Sequence, residues 1–205
     1  MMCDVHGFVP MSGDGNEFAT TLVVVRHATS HVPVPGGPDE LHRGLSAFGR
    51  TQAGQLVDDL ADLRPDAIAS SPYLRAVQTV EPLARRFGVT VTTDAALREW
   101  ESGLEPRPDY ADHYARSWAD PDFARPGGES LAALSTRAVA ALRVLADQHA
   151  GGTVVVGSHG TFVARALAGF GVAVDWPFSA AMPMPAVYRL SFSGMRFHAE
   201  GPGLR

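Results

Sequence analysis

Residues 21–31 read TLVVVRHATSH. Thr20–Val25 is a short apolar, β-branched run without polar alternation, the pattern of a strand buried on both faces. Strands of that kind belong to parallel sheets covered by helices, so this stretch decides for an α/β fold. The run stops at Arg26 and His27. In open α/β sheets the carboxyl ends of the strands border the crevice where ligands bind, which makes the pair a candidate site.

Downstream the same theme recurs. Residues 31–44, HVPVPGGPDELHRG, are a Pro- and Gly-rich loop, in which His31 and His42 read as solvated. Ser46 is an N-cap for a helix over 47–63, with Ala53, Leu56, Val57 and Leu60 on its apolar stripe. Asp66–Ser70 is a strand; Pro72 opens a helix that runs to Phe87 and stops at Gly88; Val89–Thr92 is a third strand. Four prolines break up residues 94–128, leaving one helix from Asp109 to Trp118. An insertion of that length beside a regular frame reads as a substrate lid, placed at about 100–128. A helix over Leu131–His149, a strand over Thr153–Val156 and a helix over Thr161–Phe170 follow. Pro-rich residues 177–185 lead to a closing hairpin, Ala186–Phe192 and Met195–His198. The whole is a three-layer α/β/α sandwich on a mostly parallel sheet, a single domain over 20–205 behind a disordered tail at 1–19.

Composition narrows the function. All 17 basic residues are arginine, which excludes a P-loop and a Schiff-base enzyme, since each needs a lysine. Net charge is −5 and the pI about 5.9, which does not suggest a nucleic-acid or anionic-membrane partner. Cys3 is the only cysteine, so neither a disulfide framework nor a Cys-based zinc site forms within the chain. Without a signal-peptide pattern or a long apolar run, a cytoplasmic protein is expected. GSHG at 157–160 carries histidine where a nucleophile elbow needs serine, and H-E-x-x-H is absent.

Two further strand ends resemble the first. The strand at 66–70 leads to Arg75 on the first turn of a helix, and the strand at 153–156 leads to His159-Gly160, again at a helix start. Two forked guanidiniums match phosphate oxygens, and helix amides bind the same anion. One imidazole serves as nucleophile toward phosphorus, and a second, protonated, balances charge on the equatorial oxygens. Each element alone is weak; the convergence of the four is not.

In order along the chain, RHATS, LSAFGRTQAGQL (45–56), SSPYLRAVQTV (70–80), LREWESG (97–103), PGGES (126–130) and VVGSHG (155–160) resemble the signature blocks of the histidine phosphatase superfamily, the phosphoglycerate mutase-like family. The resemblance implies that His27 becomes phosphohistidine, that Arg26, Arg75 and His159 bind the phosphoryl group, and that Glu99 donates the proton to the leaving oxygen, with Glu101 its rival. It implies no metal and no organic cofactor. Ser30 and Gly160 are further candidates for phosphate contact; His113 and Arg116 in the lid are read equally well as substrate contacts or as an exposed helix face. Ala28 replaces the family's glycine, Pro33 stands where an asparagine is common, and the usual Gly-x-x-Asp stretch is not evident in GGPDELHRG.

The expected activity is hydrolysis of a small phosphate ester. Phosphoglycerate mutase-type transfer is the alternative, and a phospholigand-binding module without turnover a third. The short, acidic, lysine-free lid favours hydrolysis, and an intact nucleophile argues against a binder.

Overall fold

The computed structural model describes residues 19–34, 36–194 and 196–204, so the disordered tail expected at 1–19, Cys3 included, lies outside them but for Ala19. The elements are β1 (Thr20–Arg26), α1 (Ala47–Asp59), β2 (Ala67–Ser70), α2 (Leu74–Phe87), β3 (Val91–Thr93), α3 (Tyr110–Ala119), α4 (Leu131–Gln148), β4 (Thr153–Ser158), α5 (Gly160–Gly169), α6 (Trp176–Ala181), β5 (Ala186–Ser193) and β6 (Arg196–Glu200). They form one six-stranded sheet in the order β3-β2-β4-β1-β5-β6. The first four of these strands are parallel; the closing hairpin adds β5, antiparallel to β1, and β6, antiparallel to β5, at the edge.

Why β1 is apolar throughout is visible in its packing. Leu22 and Val24, with Val154 and Val156 of β4, face α4 and α5, whereas Val23, Val25 and Val155 face α1 and α2. The period-2 geometry of a strand sends neighbours to opposite layers, and both layers are covered. Each of these fully buried side chains contributes roughly 1.5–3 kcal/mol. Because α1 follows β1 on one face and α5 follows β4 on the other, the connections diverge between two adjacent strands. That divergence opens the crevice beyond Arg26 and Ser158, which are register partners.

Local chemistry sets the boundaries. The Ser46 side chain accepts from Gly49 N at the start of α1, and Gly88 ends α2 at φ 69°, where a side chain would be strained. α1 stops at Asp59 rather than Leu63; beyond it Leu60 and Leu63 close hydrogen-bonded turns. Residues 177–185, expected to be an irregular linker, begin inside α6. Its prolines misled the sequence reading: Asp175 caps the helix by accepting from Phe178 N, and Pro177 lies in the first turn, where a missing N–H costs nothing.

Candidate active site

β1, β2 and β4 end side by side, and the turns that leave them bring Arg26, His27, Arg75 and His159 together. His27 is buried, and its backbone N–H donates to Ser158 O at 2.9 Å. Its Nδ1 lies 2.7 Å from Ala28 O, a contact that requires the proton on Nδ1. Nε2 is thereby left with its lone pair, and it accepts from Arg75 Nε at 3.2 Å. The His27 and His159 rings meet edge to face, centroids 5.3 Å apart. Burial, then the Arg75 guanidinium, lowers His27 to about 3. A neutral imidazole with a directed lone pair has the form a nucleophile needs.

His159 is fully buried, and Nε2 lies 2.8 Å from Ser71 Oγ. Burial and Arg75 push its pKa well below the ordinary value, so it is neutral; the expectation of a second, protonated imidazole is corrected by the crowding of arginines around it. Its Nδ1 is buried without a hydrogen-bond partner, as is Arg26 Nε. A buried unpaired donor or acceptor costs about 1–3 kcal/mol, so two such atoms in one crevice point to a polar ligand. Arg26 Nη1 donates to Met182 O and to Pro183 O, so the end of α6 holds its fork in place.

The loop that carries RHATS is fixed by groups from α1, its N-cap and α2. Ala28 N donates to Thr79 Oγ1 (3.0 Å), Thr29 N to Gln52 Oε1 (3.1 Å), and Ser46 Oγ to Thr29 O (3.0 Å). A Cβ on Gly49 would lie 1.9 Å from Thr29 O, so only glycine lets α1 press against this loop. Ala28 in place of the family's glycine is accommodated because its methyl packs on Leu45 and Ala53.

Glu99 reaches the crevice from the other side. Its carboxylate accepts from the backbone N–H of Trp100 (2.9 Å), Thr161 (3.3 Å) and Phe162 (3.0 Å). The amides of the α5 N-terminus, expected to serve phosphate, are thus occupied by Glu99, a favourable place for a carboxylate. Glu101 turns away, with Oε1 on Arg98 Nε at 2.9 Å. Gly160 makes room for Arg26: a Cβ there would come within 3.0 Å of Arg26 Nε. Ser30 Oγ accepts from Arg43 Nη1 at 2.5 Å, so its oxygen faces a guanidinium and its O–H remains a donor.

Two features escaped the sequence. Arg43 is nearly buried; besides Ser30 it donates to His31 O (2.8 Å) and pairs with Glu40, and its charge reaches His27, Arg75 and His159. Its one signal is a lone basic residue just before the LS block. Arg137 of α4 forks onto Glu129 and donates to the carbonyls of Ala96 (2.8 Å), Arg98 (3.0 Å) and Glu99 (3.4 Å), which fixes the segment bearing Glu99. That is the task of the glutamate in PGGES. His113 and Arg116 line a shallow hollow with Asp120, Phe123 and Arg125, not the crevice of the two histidines. Among the described residues, no group of three His, Cys, Asp or Glu side chains gathers that could hold a metal ion.

A parallel sheet that ends in two histidines and two arginines defines a class, and comparison with known proteins agrees. The profile of the histidine phosphatase superfamily (branch 1) matches residues 22–204. The chain belongs to that superfamily and is a histidine phosphatase. It is 33% identical over 173 residues to a glucosyl-3-phosphoglycerate phosphatase of Mycolicibacterium vanbaalenii, covering 76% of this chain and 77% of that protein. It is 31% identical over 147 residues to phosphoserine phosphatase 1 of Hydrogenobacter thermophilus, covering 67% of this chain and 70% of the other. Among solved structures, a mycobacterial glucosyl-3-phosphoglycerate phosphatase superposes with a TM-score of 0.74 at 26% identity, covering 91% of this chain and 100% of the other.

Proposed function

We propose that the chain hydrolyses a small phosphate monoester through a phosphohistidine on His27. The observation that carries the proposal is the tautomer fixed by Ala28 O, which leaves the Nε2 lone pair beside Arg75. Nε2 attacks phosphorus and forms the N–P bond as the ester P–O bond breaks. A monoanionic ester brings the proton that the Glu99 carboxylate relays to the departing oxygen; Glu99 then takes one from the water that attacks phosphohistidine, releasing inorganic phosphate. Arg26, Arg75 and a neutral His159 donate to the phosphoryl oxygens, and Arg43 adds its charge from behind. Ser30 O–H is a further donor, and Gly160 serves by admitting Arg26. No metal or organic cofactor enters these steps. We read the enzyme as cytoplasmic and without a nucleic-acid or membrane partner, a reading that its net charge of −5 and a small-molecule substrate support.

The acidic lid supports hydrolysis over isomerisation, because a mutase must also hold its substrate's carboxylate. The relatives named as phosphatases support the same choice. Acid-quenched reaction with a labelled ester tests it. Wild-type protein is expected to carry label on His27 and to release phosphate, and His27→Ala to do neither. With 3-phosphoglycerate, free phosphate is expected to exceed 2-phosphoglycerate. Efficient isomerisation with little phosphate would replace hydrolase by mutase, and a wild type that neither labels nor hydrolyses any ester would end the catalytic reading.

A further inference from the structure

The loop between β1 and α1 places an anion of the protein's own against the phosphoryl-binding arginine. Glu40 O accepts from Arg75 Nη1 at 2.8 Å, and Glu40 Oε2 lies 2.9 Å from Arg75 Nη2. The same carboxylate takes Arg43 Nη2 (2.7 Å) and Arg43 Nε (2.9 Å). Arg75 also reaches His27 through Nε, so one guanidinium separates Glu40 from the nucleophile. The arrangement is asymmetric: Arg75 is 2% exposed and Glu40 51%, so the carboxylate forms the outer wall and the arginines the floor. Burial works to raise the Glu40 carboxyl, but Arg43 and Arg75 bring it below its ordinary value, so it is anionic at neutral pH.

We propose that Glu40 is a specificity-determining residue: its carboxylate, seated on Arg75 and Arg43, gives the cradle an anionic rim that selects esters of uncharged polyols and sugars against esters whose leaving group carries a carboxylate. The assignment rests on the phosphatase reading and deepens it. The leaving oxygen departs on the Glu99 side, but Glu40 stands only one guanidinium from the phosphoryl site, so a charged leaving group lies within its field. Arg43 and Arg75 lie behind Glu40 and are already engaged by it, so a carboxylate that approaches from solvent meets Glu40 first. Just before the lid Arg98 is committed to Glu101, and within it Arg107 to Asp109 and Arg125 to the carbonyls of Ser102 and His113. Arg116 faces a separate hollow beside Asp120. The rim instead presents Tyr73, whose ring meets His159 at 5.1 Å and lies under the Arg75 guanidinium at 4.9 Å. Burial raises its phenol, with Glu101 and Glu40 adding to the effect; Tyr114 of α3 is raised by burial, with Glu99 and Glu40 adding.

Glycerol 3-phosphate and 3-phosphoglycerate share a skeleton and differ by a hydroxymethyl against a carboxylate, so they isolate the charge. The wild type is expected to prefer glycerol 3-phosphate by about tenfold or more in kcat/KM, the cost of an uncompensated like charge. Glu40→Gln should shrink that ratio about tenfold, mainly through a lower KM for 3-phosphoglycerate, and Glu40→Asp should preserve it. Equal or better hydrolysis of 3-phosphoglycerate by the wild type, or an unchanged ratio in Glu40→Gln, overturns the assignment. If neither these esters nor 4-nitrophenyl phosphate is hydrolysed, the phosphatase reading fails on its own account. Calorimetric binding of the two esters to His27→Ala then decides on Glu40: tighter glycerol 3-phosphate supports it, tighter 3-phosphoglycerate overturns it.

Discussion

His27 combines burial, a fixed tautomer and a guanidinium at its lone pair, and each of these opposes its protonation. The unfolded chain titrates this residue near the ordinary value of about 6.5, while the folded chain holds it at about 3. As the pH falls below 6.5, the unfolded state gains a proton that the native state refuses, so stability declines until the folded value is reached. Between pH 7 and pH 5 this one residue should cost about 2 kcal/mol. His27→Gln removes the term, so its urea-unfolding free energy should fall less over that interval by about the same amount. Parallel pH slopes for the two proteins would show that His27 is not held neutral by the fold. His159 is shifted in the same direction by burial and Arg75, so acid acts on both rings together. None of this could be read from RHATS, because the Arg75 contact spans 48 residues and the His159 contact more. The residue types were legible; their protonation states depend on who their neighbours are.

The elements were legible wherever a period or a cap announced them. β1 and β4 are unbroken apolar runs, α1 begins at a serine cap, and α2 ends at a left-handed glycine. α6 was missed because Pro177 was weighed as a breaker, with Pro183 and Pro185, without regard to its place in the first turn. Gly49 shows a limit of another kind: it reads as a weak point in a helix, yet it is the point where α1 touches the RHATS loop. Gly49→Ala would raise intrinsic helix propensity by about 1 kcal/mol and still destabilise the protein. The methyl would sit 1.9 Å from Thr29 O, and the backbone shift that relieves it should cost about 2–3 kcal/mol net. Urea unfolding is the check, and phosphatase activity should fall with it as Ala28 and Thr29 lose their places. A neutral or stabilising effect would mean that α1 can retreat freely. Arg137 and Glu129 belong here as well: the pair fixes Glu99 through backbone carbonyls, and carbonyls leave no trace in a sequence.

Across the whole molecule, the strand that bears the nucleophile lies in mid-sheet, with β4 on one side and β5 on the other. Thr20–Arg26 pairs with residues 153–158 and with residues 186–192. Arg26 further depends on the carbonyls of Met182 and Pro183. A chain ending at Gly171 would keep His27, Glu99 and His159 yet leave β1 open along one edge and the Arg26 fork without a seat. It should show no cooperative thermal transition and no ester hydrolysis, as measured by calorimetry and phosphate release; a folded, active fragment would make the closing hairpin dispensable. The α/β class and the order of strands and helices were legible because local runs specify them. The central position of β1 was not, since pairing partners more than a hundred residues away carry no local mark.

That central position also has a meaning in time. A ribosome has made the nucleophile once it has polymerised His27, but the strand's second neighbour is complete only at Phe192. At about 5–20 residues per second, roughly 10 to 30 s of synthesis separate the two. Throughout that interval the growing chain carries its reactive histidine without the arginine seat, the helix-held carboxylate and the acidic rim in one piece. Reactivity and selectivity therefore wait on the same step, the pairing of β5 with β1.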